Sequence, residues 1–421
     1  MSKVVIKYNN PTSRMKYSAD VLFNTCLGVD VEWMSGGESH KYDLCVGKKS
    51  LSCPVHAISL SQDSSATSSG VDWVSFKGEQ FPCEVIGATD LQFDPLAATL
   101  FFVARWEEVY LSDANSLDKH GRFQGKKSSS YLKGVLDRPS VDIMARILAE
   151  VLELEFTEPT YSYQPSIDID IAFKYLGRPL WKSVILSIKD ILTFKNPHER
   201  MNVVSTGNGD PYDTYDYLES LHSNNGLKTT YYVLRTERKK PYDVCLSKPV
   251  IDNLIEKLLK SSSVYWHPSY QATENMGDVF SSEKNEFTAD SDFVRHHFLK
   301  SGPAMWPELE ANNVKRDSSL AYADLPGFRA GICREYSAYD LKNDKTLHLK
   351  ILPPAIMDST LHSYMNLRPD KAINTAQEII TEVKAVGGTL VTIWHNTSAS
   401  NVDFWKGWRK VYEEVVRRSI P

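Results

Sequence analysis

Residues 165–173 read Pro165-Ser166-Ile167-Asp168-Ile169-Asp170-Ile171-Ala172-Phe173 and set two carboxylates inside a short run of β-branched residues. In a strand, residues two apart share a face, so Asp168 and Asp170 project together while Ile167, Ile169 and Ile171 pack on the other side. A buried carboxylate needs a partner. An apolar strand that opens after a proline and ends in paired acids is expected to begin a domain whose pocket lies at the strand's C-terminal end.

Downstream of the acids the pattern alternates between strand and helix, which predicts an α/β domain. The segment 181–194 carries Trp181, Val184, Ile185, Ile188, Ile191 and Leu192 at helical spacing. Interrupted by Lys182, Lys189 and Asp190, it is too short to span a bilayer and reads as a helix burying one face, a surface-lying segment or a lid. Asp210-Pro211 predicts a helix over 212–222, followed by a strand over 228–234. An amphipathic helix is expected over 249–260, and Ser263-Val264-Tyr265-Trp266 forms a strand leading into His267. Further helices are expected over 289–300 and 307–311. The clearest helix, 370–386, stops at Gly387-Gly388, and the apolar strand 389–394 then delivers His395.

Upstream, residues 1–160 read as a separate unit, starting with the strand-like Val4-Val5-Ile6-Lys7-Tyr8 and a Ser-rich loop at 61–70. Asp94 as N-cap and Pro95 at the first position predict a helix over 96–110, and a second is expected over 140–154. Between them, Asp118-Lys119-His120-Gly121-Arg122-Phe123 reads as a polar surface turn, and no catalytic constellation assembles in this half. A chain of 421 residues favours two domains, here an α/β or α+β unit over 1–160 and the acid-bearing unit over 161–421.

Hydrophobic content of 42%, charged content of 24% and a net charge of -5 do not suggest a nucleic-acid surface. Cys26, Cys45, Cys53, Cys83, Cys245 and Cys333 form no CxxC pair, which predicts buried free thiols in a reducing compartment and no structural zinc knot. Residues 1–10 lack the apolar run of a signal peptide, so cytoplasmic residence is expected and the sequon Asn396-Thr397-Ser398 reads as chance.

Two strands end in a histidine, His267 and His395, and one carries the acid pair. In a parallel barrel these ends share one mouth, where acids and imidazoles suit a divalent metal ion that activates water. Each histidine alone also reads as a satisfied core or loop residue. Arg329, between Gly327 and Gly331, can orient Asp168, bind an anionic substrate group or brace its loop, and Arg295 has the same readings. Tyr270, Trp266 and Trp394 form either a platform for a sugar ring or simply core. Asp317 and Asp324 read as solvated turn acids or as partners of the Arg329 loop.

The chain from about 161 onward resembles the polysaccharide deacetylase (NodB homology, carbohydrate esterase family 4) domain. Asp168-Ile169-Asp170 looks like its first motif, His267-Pro268-Ser269-Tyr270 like its second and Ile393-Trp394-His395-Asn396 like its last. More closely, the chain is similar to bacterial polysaccharide deacetylase-like proteins with an uncharacterised N-terminal domain. That likeness runs through Phe101-Phe102-Val103-Ala104-Arg105-Trp106-Glu107-Glu108, the 118–123 turn, Asp210 to Asp216, Arg295 to Leu299 and Tyr322 to Arg329. The resemblance implies a distorted (β/α) barrel that hydrolyses acetamides with a divalent metal, zinc foremost. By position, Asp168 is then the general base, Asp170 and His267 metal ligands, and His395 the general acid. The family's second motif carries another histidine four residues on, where this chain has Gln271; His297 is the inferred replacement ligand.

Two functions follow. One is removal of an acyl group from an N-acetylated sugar or related small molecule; the other is a catalytically degenerate barrel that binds a carbohydrate or a partner, motivated by Gln271. A chitinase-like glycosidase is disfavoured because Ala172 occupies the position where such barrels carry a glutamate.

Overall fold

The computed structural model describes residues 3–36, 38–60, 71–178, 197–236 and 242–421. The expected helix over 181–194 and the Ser-rich 61–70 lie outside these residues. Strand β7 (Ser162–Ile169) lies inside a nine-stranded sheet, and the acid pair sits at its C-terminal end. The chain supplies the partners in alternation with helices: β8 (Thr230–Leu234), β9 (Ser263–His267), β10 (Asp290–Val294), β11 (Arg316–Asp317), β12 (Tyr336–Asp340), β13 (Lys345–Ile351), β14 (Ile356–Met357) and β15 (Thr389–His395). Their order is β12-β13-β11-β10-β9-β8-β7-β15-β14. Every ladder is parallel except β12–β13. The protein is therefore a mixed α/β molecule with a large, mainly parallel sheet.

Parallel strands are covered on both faces, which is why Thr230–Leu234 and Thr389–His395 are rich in β-branched and aromatic residues instead of alternating strictly with polar ones. The sheet also curls. Only residues 352–355 separate β13 from β14, yet the Leu352 N–H donates to Asp317 O beside β13 and the Ala355 N–H donates to Val391 O on β15. Four residues reach about 14 Å at most, so strands far apart in the sheet order lie close in space.

Residues upstream of β7 build a four-stranded sheet of order β2-β1-β3-β4 from β1 (Lys3–Lys7), β2 (Asp30–Met34), β3 (Lys41–Val46) and β4 (Lys49–Pro54). A hairpin follows from β5 (Trp73–Phe76) and β6 (Glu79–Pro82). One contiguous apolar core runs from Val4 and Ile6 through Phe101 and Ile167 to Val415 and Val416. Polar contacts stitch the same seam. Arg14 Nε donates to Asp344 Oδ1 at 2.8 Å, Arg334 Nε to Asp142 Oδ1 at 2.6 Å and Tyr336 Oη to Val103 O at 3.0 Å.

Arg329 belongs to this seam. Its Nε and Nη2 donate to Glu108 at 2.9 and 2.7 Å, and Nη1 donates to Ala321 O. Glycines on either side let the loop approach this closely: Gly327 has φ +126° and a Cβ there would lie 2.4 Å from Leu136 O, while one on Gly331, φ +62°, would lie 2.8 Å from Phe102. Arg105 completes the cluster by reaching Glu107, Glu108 and the Tyr322 hydroxyl.

Several expected elements shift. The helix over 96–110 divides into Pro95–Val103 and Trp106–Tyr110, because Arg105 adopts φ 54° at the break, where its guanidinium joins the buried acids. The helix over 289–300 is instead β10 and a short turn at His297–Leu299; Val294 pairs with strands on both sides, an environment that short apolar spacing cannot reveal. Asp210 does not open its helix directly, which runs Tyr215–Ser223; its carboxylate accepts N–H groups from Lys174, Tyr175, Leu176 and Tyr212. Asp317 and Asp324 are not solvated turn acids: Asp317 accepts from Ser301 and Ser319, and Asp324 from the Gly125 N–H. Cys26, Cys45, Cys53, Cys83 and Cys333 are buried free thiols, and Cys245 is half-buried. Among the described residues, no helix is long and apolar enough to cross a membrane.

The seam cluster has a measurable signature. Burial alone would raise the Glu108 carboxyl, but Arg329 and Arg105 bring it from 4.5 down to about 2. A depressed acid contributes stability that is complete above the unfolded value and lost as pH falls through the folded one. Glu108→Gln is expected to lower unfolding free energy at neutral pH by about 3–5 kcal/mol, since it strands buried arginines. Denaturant unfolding across pH should also show a flatter acid limb between 4.5 and about 2 than the unaltered chain.

Candidate functional site

Strand ends bring the site together. Within the ladders Asp168 lies opposite His395 of β15 and Tyr232 of β8, and Leu234 of β8 lies opposite His267 of β9. The end of β10 adds Arg295-His296-His297, and the end of β14 adds Asp358. The resulting pocket, of about 240 Å³, is lined by Asp168, Asp170, His267, His297 and His395 together with Phe298, Ser359, Tyr364 and Arg122.

Asp170 is the focus. His267 Nε2 lies 3.0 Å from its Oδ1, while His297 Nε2 and His395 Nε2 lie 3.4 and 3.5 Å from its Oδ2. Each ring is held from behind through its other nitrogen. His267 Nδ1 bonds to Arg295 O, His297 Nδ1 to Asp243 Oδ1 at 2.9 Å and His395 Nδ1 to Asp358 Oδ1 at 2.8 Å. A carbonyl and two carboxylates can only accept, so the Nδ1 atoms carry hydrogen and the Nε2 atoms are presented to Asp170. The acceptors are themselves fixed. Asp243 takes the Tyr270 N–H at 2.9 Å, and Asp358 takes the His395 N–H at 2.8 Å and the Ser398 hydroxyl.

This donor set fits a divalent cation. Asp170, His267 and His297 offer ligand atoms that all lie within 4.8 Å of one another. Asp170 Oδ1 is buried and has no aligned hydrogen-bond donor, although His267 Nε2 is close by. A lone pair facing a lone pair is what an ion about 2 Å from each would satisfy. His395 stands just outside that trio, half-buried, with its Nε2 toward the same pocket.

Charge follows the same geometry. Burial would raise the Asp170 carboxyl, yet the facing His297 and His395 rings, with His267 close beside them, hold it well below the usual range. Burial opposes the charge on His297, but Asp170 and Asp243 push it up to about 9, and Asp358 and Asp170 likewise push His395 up to about 10. His296 is buried beside Phe280, and that burial lowers it to about 4 although Asp317 acts the other way.

Asp168 lies deeper. Arg295 Nη1 donates to its Oδ1 at 2.8 Å and to Ser166 Oγ at 2.7 Å, while Nε and Nη2 bind Ser318 O and Oγ. The guanidinium sits 4.1 Å from the Tyr232 ring centroid. Arg295 thus aims Asp168 from beneath the pocket and is fully buried.

Other expected site residues lie elsewhere. Arg329 pairs with Glu108 at the seam and does not orient Asp168. Trp266 is fully buried against Phe280, because alternation along β9 turns it away from the face that His267 uses. Trp394 stacks on Tyr412 of the Trp408–Ser419 helix at 4.7 Å, on the opposite side from His395. Tyr270 sits behind Phe298, its hydroxyl 3.3 Å from His120 Nδ1. None of these three lines the pocket as a sugar platform. Gln271 does not line it either.

Sequence reasoning missed Asp243, Asp358 and Arg122. The two acids carry no motif of their own; Asp358 follows the apolar Ala355-Ile356-Met357, a short strand signal that was available. The 118–123 turn was read as surface, whereas His120 and Arg122 are 5% and 7% exposed.

Among known proteins, the family of unknown function DUF7033 matches residues 4–157. No curated protein matches the chain. Among solved structures, the chain is similar to a candidate polysaccharide deacetylase from Mycobacterium smegmatis, at 13% identity over 62% of this chain and 84% of that one, with a TM-score of 0.38. A candidate polysaccharide deacetylase involved in O-antigen biosynthesis from Bordetella bronchiseptica matches at 12% identity over 61% and 90%, with a TM-score of 0.34. The 4-alpha-glucanotransferase of Thermococcus litoralis matches at 12% identity over 62% of this chain and 36% of that one, with a TM-score of 0.32.

In chelator-treated protein, imidazole nitrogen NMR should find His297 and His395 protonated at pH 7 and His296 neutral. Asp358→Asn is expected to lower the His395 midpoint by roughly 1–3 units, the effect of removing one adjacent opposite charge. The His296 signal should not move.

Proposed function

We propose that this chain is a divalent-metal-dependent hydrolase that removes an acyl group, most simply acetyl, from the nitrogen of an N-acylated sugar or a related glycoconjugate. The observation that carries this reading is the convergence of three imidazole Nε2 atoms on Asp170, each ring tied back through Nδ1 to a fixed acceptor. The motif resemblance of Asp168-Ile169-Asp170, His267-Pro268-Ser269-Tyr270 and Trp394-His395 supports the same chemistry. In this reading the curled sheet is a distorted (β/α) barrel of the polysaccharide deacetylase type, with 1–160 as a distinct N-terminal domain.

Asp170, His267 and His297 would hold the ion, and zinc suits an aspartate with two imidazoles. When bound, such an ion polarises a carbonyl and acidifies a water. Asp168 takes a proton from the water that attacks the acyl carbon, with Arg295 keeping its carboxylate aimed. The carbon–nitrogen bond then breaks, and the leaving nitrogen receives a proton from His395 Nε2 while Asp358 steadies the ring through Nδ1. The products are a carboxylate and a free amine. Burial of Asp243 and Asp358 keeps both ring supports away from solvent competition.

The alternative, a degenerate barrel that only binds carbohydrate, rested on Gln271. His297 weakens that alternative by offering a third donor to the same carboxylate.

Elemental analysis of protein purified without chelator is expected to find about one divalent ion per chain, lost in Asp170→Asn. Amine release from N-acetylated chito-oligosaccharides should fall by about 10²–10⁴-fold in Asp168→Asn and in His395→Gln, with the ion retained in both. Absence of a stoichiometric ion together with carbohydrate binding that survives Asp170→Asn overturns the hydrolase reading.

A further inference from the structure

The turn at 118–123 belongs to the part of the chain matched by a family of unknown function, yet its Arg122 side chain lines the pocket. Asp118 makes the turn rigid. Its Oδ1 accepts the His120 and Arg122 N–H groups at 2.8 and 3.0 Å, and its Oδ2 takes Arg122 Nε and Nη2 at 2.8 and 2.6 Å. So anchored, Arg122 reaches across the seam. Nη1 donates to Phe298 O at 2.6 Å and Nη2 to the Tyr364 hydroxyl at 2.8 Å. Four of its five donor hydrogens are thereby engaged on one acid and on two loops of the pocket.

What Arg122 grips is unusual backbone. Phe298 and Leu299 follow His297 directly and adopt φ 63° and φ 53°. Two successive L-residues in the left-handed region cost about 1–2 kcal/mol each and persist only where the surroundings hold them. The Phe298 carbonyl takes its bond from Arg122, and the Phe298 ring packs 4.8 Å from His120 of the same turn. Tyr364, the other acceptor, ends the helical turn Thr360–Tyr364 that follows Asp358. A single turn from the N-terminal part therefore braces the segments that carry His297 and the support of His395.

We infer that the 118–123 turn is a working part of the pocket and that Arg122 is a positioning residue, holding the His297 segment against Asp170 from across the seam. This rests on the reading of Asp170, His267 and His297 as an ion site. It assigns a role to the N-terminal part: without that turn the strained His297–Leu299 segment loses its brace, and one pocket wall is missing.

The test uses the full chain, stripped with chelator and titrated with Co²⁺, whose visible spectrum reports ligand geometry. Arg122→Met is expected to bind Co²⁺ about 10–100-fold more weakly, the usual cost of removing a group that orients ligands. Its visible band should also be altered, and Arg122→Lys should recover part of the affinity through one remaining acceptor. A merely structural role would lower the melting temperature without moving the spectrum of the folded fraction. Equal affinity and an unchanged spectrum in Arg122→Met overturn the inference alone. No Co²⁺ binding by the unaltered chain overturns it together with the ion-site reading. Should Arg122→Met fail to fold, Asp118→Asn keeps the guanidinium but loosens its anchor; weaker Co²⁺ binding there supports the inference, and unaltered binding overturns it.

Discussion

The Asp170 carboxylate faces three imidazole nitrogens, and much of the surrounding backbone exists to keep those rings from turning elsewhere. Five acids meet at or behind the pocket, Asp168, Asp170, Asp243, Asp358 and the Asp118 of the 118–123 turn, against two permanent cations, Arg295 and Arg122. With neutral imidazoles that group carries an excess of three negative charges. Protons on His297 and His395 reduce the excess to one, consistent with their upward shifts to about 9 and about 10. A divalent cation held at His297 in place of its proton, with His395 keeping its own, would neutralise the group. Proton and metal would therefore compete at His297, between Asp243 and Asp170, while the Asp358–His395 pair retains the proton that the proposed reaction needs.

Such a charged cluster demands rigid walls, because buried charges are tolerated only where geometry cannot relax away from their partners. The parallel sheet supplies one wall. Its ladders fix His395 beside Asp168 and His267 beside Leu234, so the relative height of three pocket side chains follows from register rather than from loop conformation. The seam supplies another. The cluster of Arg105, Glu107, Glu108, Tyr322 and Arg329 is buried, and it joins the Pro95–Val103 helix region to the loop before β12 through bidentate contacts that only arginine's planar fork can make.

Much of the centre was legible in the sequence. Two acids in a β-branched strand and two histidines at the ends of apolar strands are local signals, each readable from a few consecutive residues, and their convergence follows once the strands are parallel. His297 was harder, since Ala289 to Lys300 mixes acids, histidines and isolated apolar residues in a pattern that fits a helix as well as a strand. Trp266 and Trp394 were offered as a platform because aromatics beside a strand end suit sugars, yet period-two alternation already turned them to the face opposite their neighbouring histidines. Asp243, Asp358 and Arg122 escaped because their roles depend on contacts 37 to 242 residues away in the chain. An isolated acid or a polar turn looks like surface until its long-range partner is known.

The two arginines at the site divide the work of preorganisation. Arg295 comes from the sheet itself, lies beneath Asp168 and is saturated by Asp168, Ser166 and Ser318, so it fixes a carboxylate that already belongs to the same sheet. Arg122 comes from outside the sheet and grips a carbonyl in left-handed backbone, a conformation that the 297–299 segment would not keep on its own. Sheet register can place a strand end to within a hydrogen bond, but it cannot dictate the path of the residues beyond it. Where a histidine proposed to hold an ion falls on those residues, as His297 does, a second body pressing on the loop can fix it. In this chain that body is the unit that precedes the sheet, which explains why both parts share one uninterrupted core instead of being joined by a loose linker.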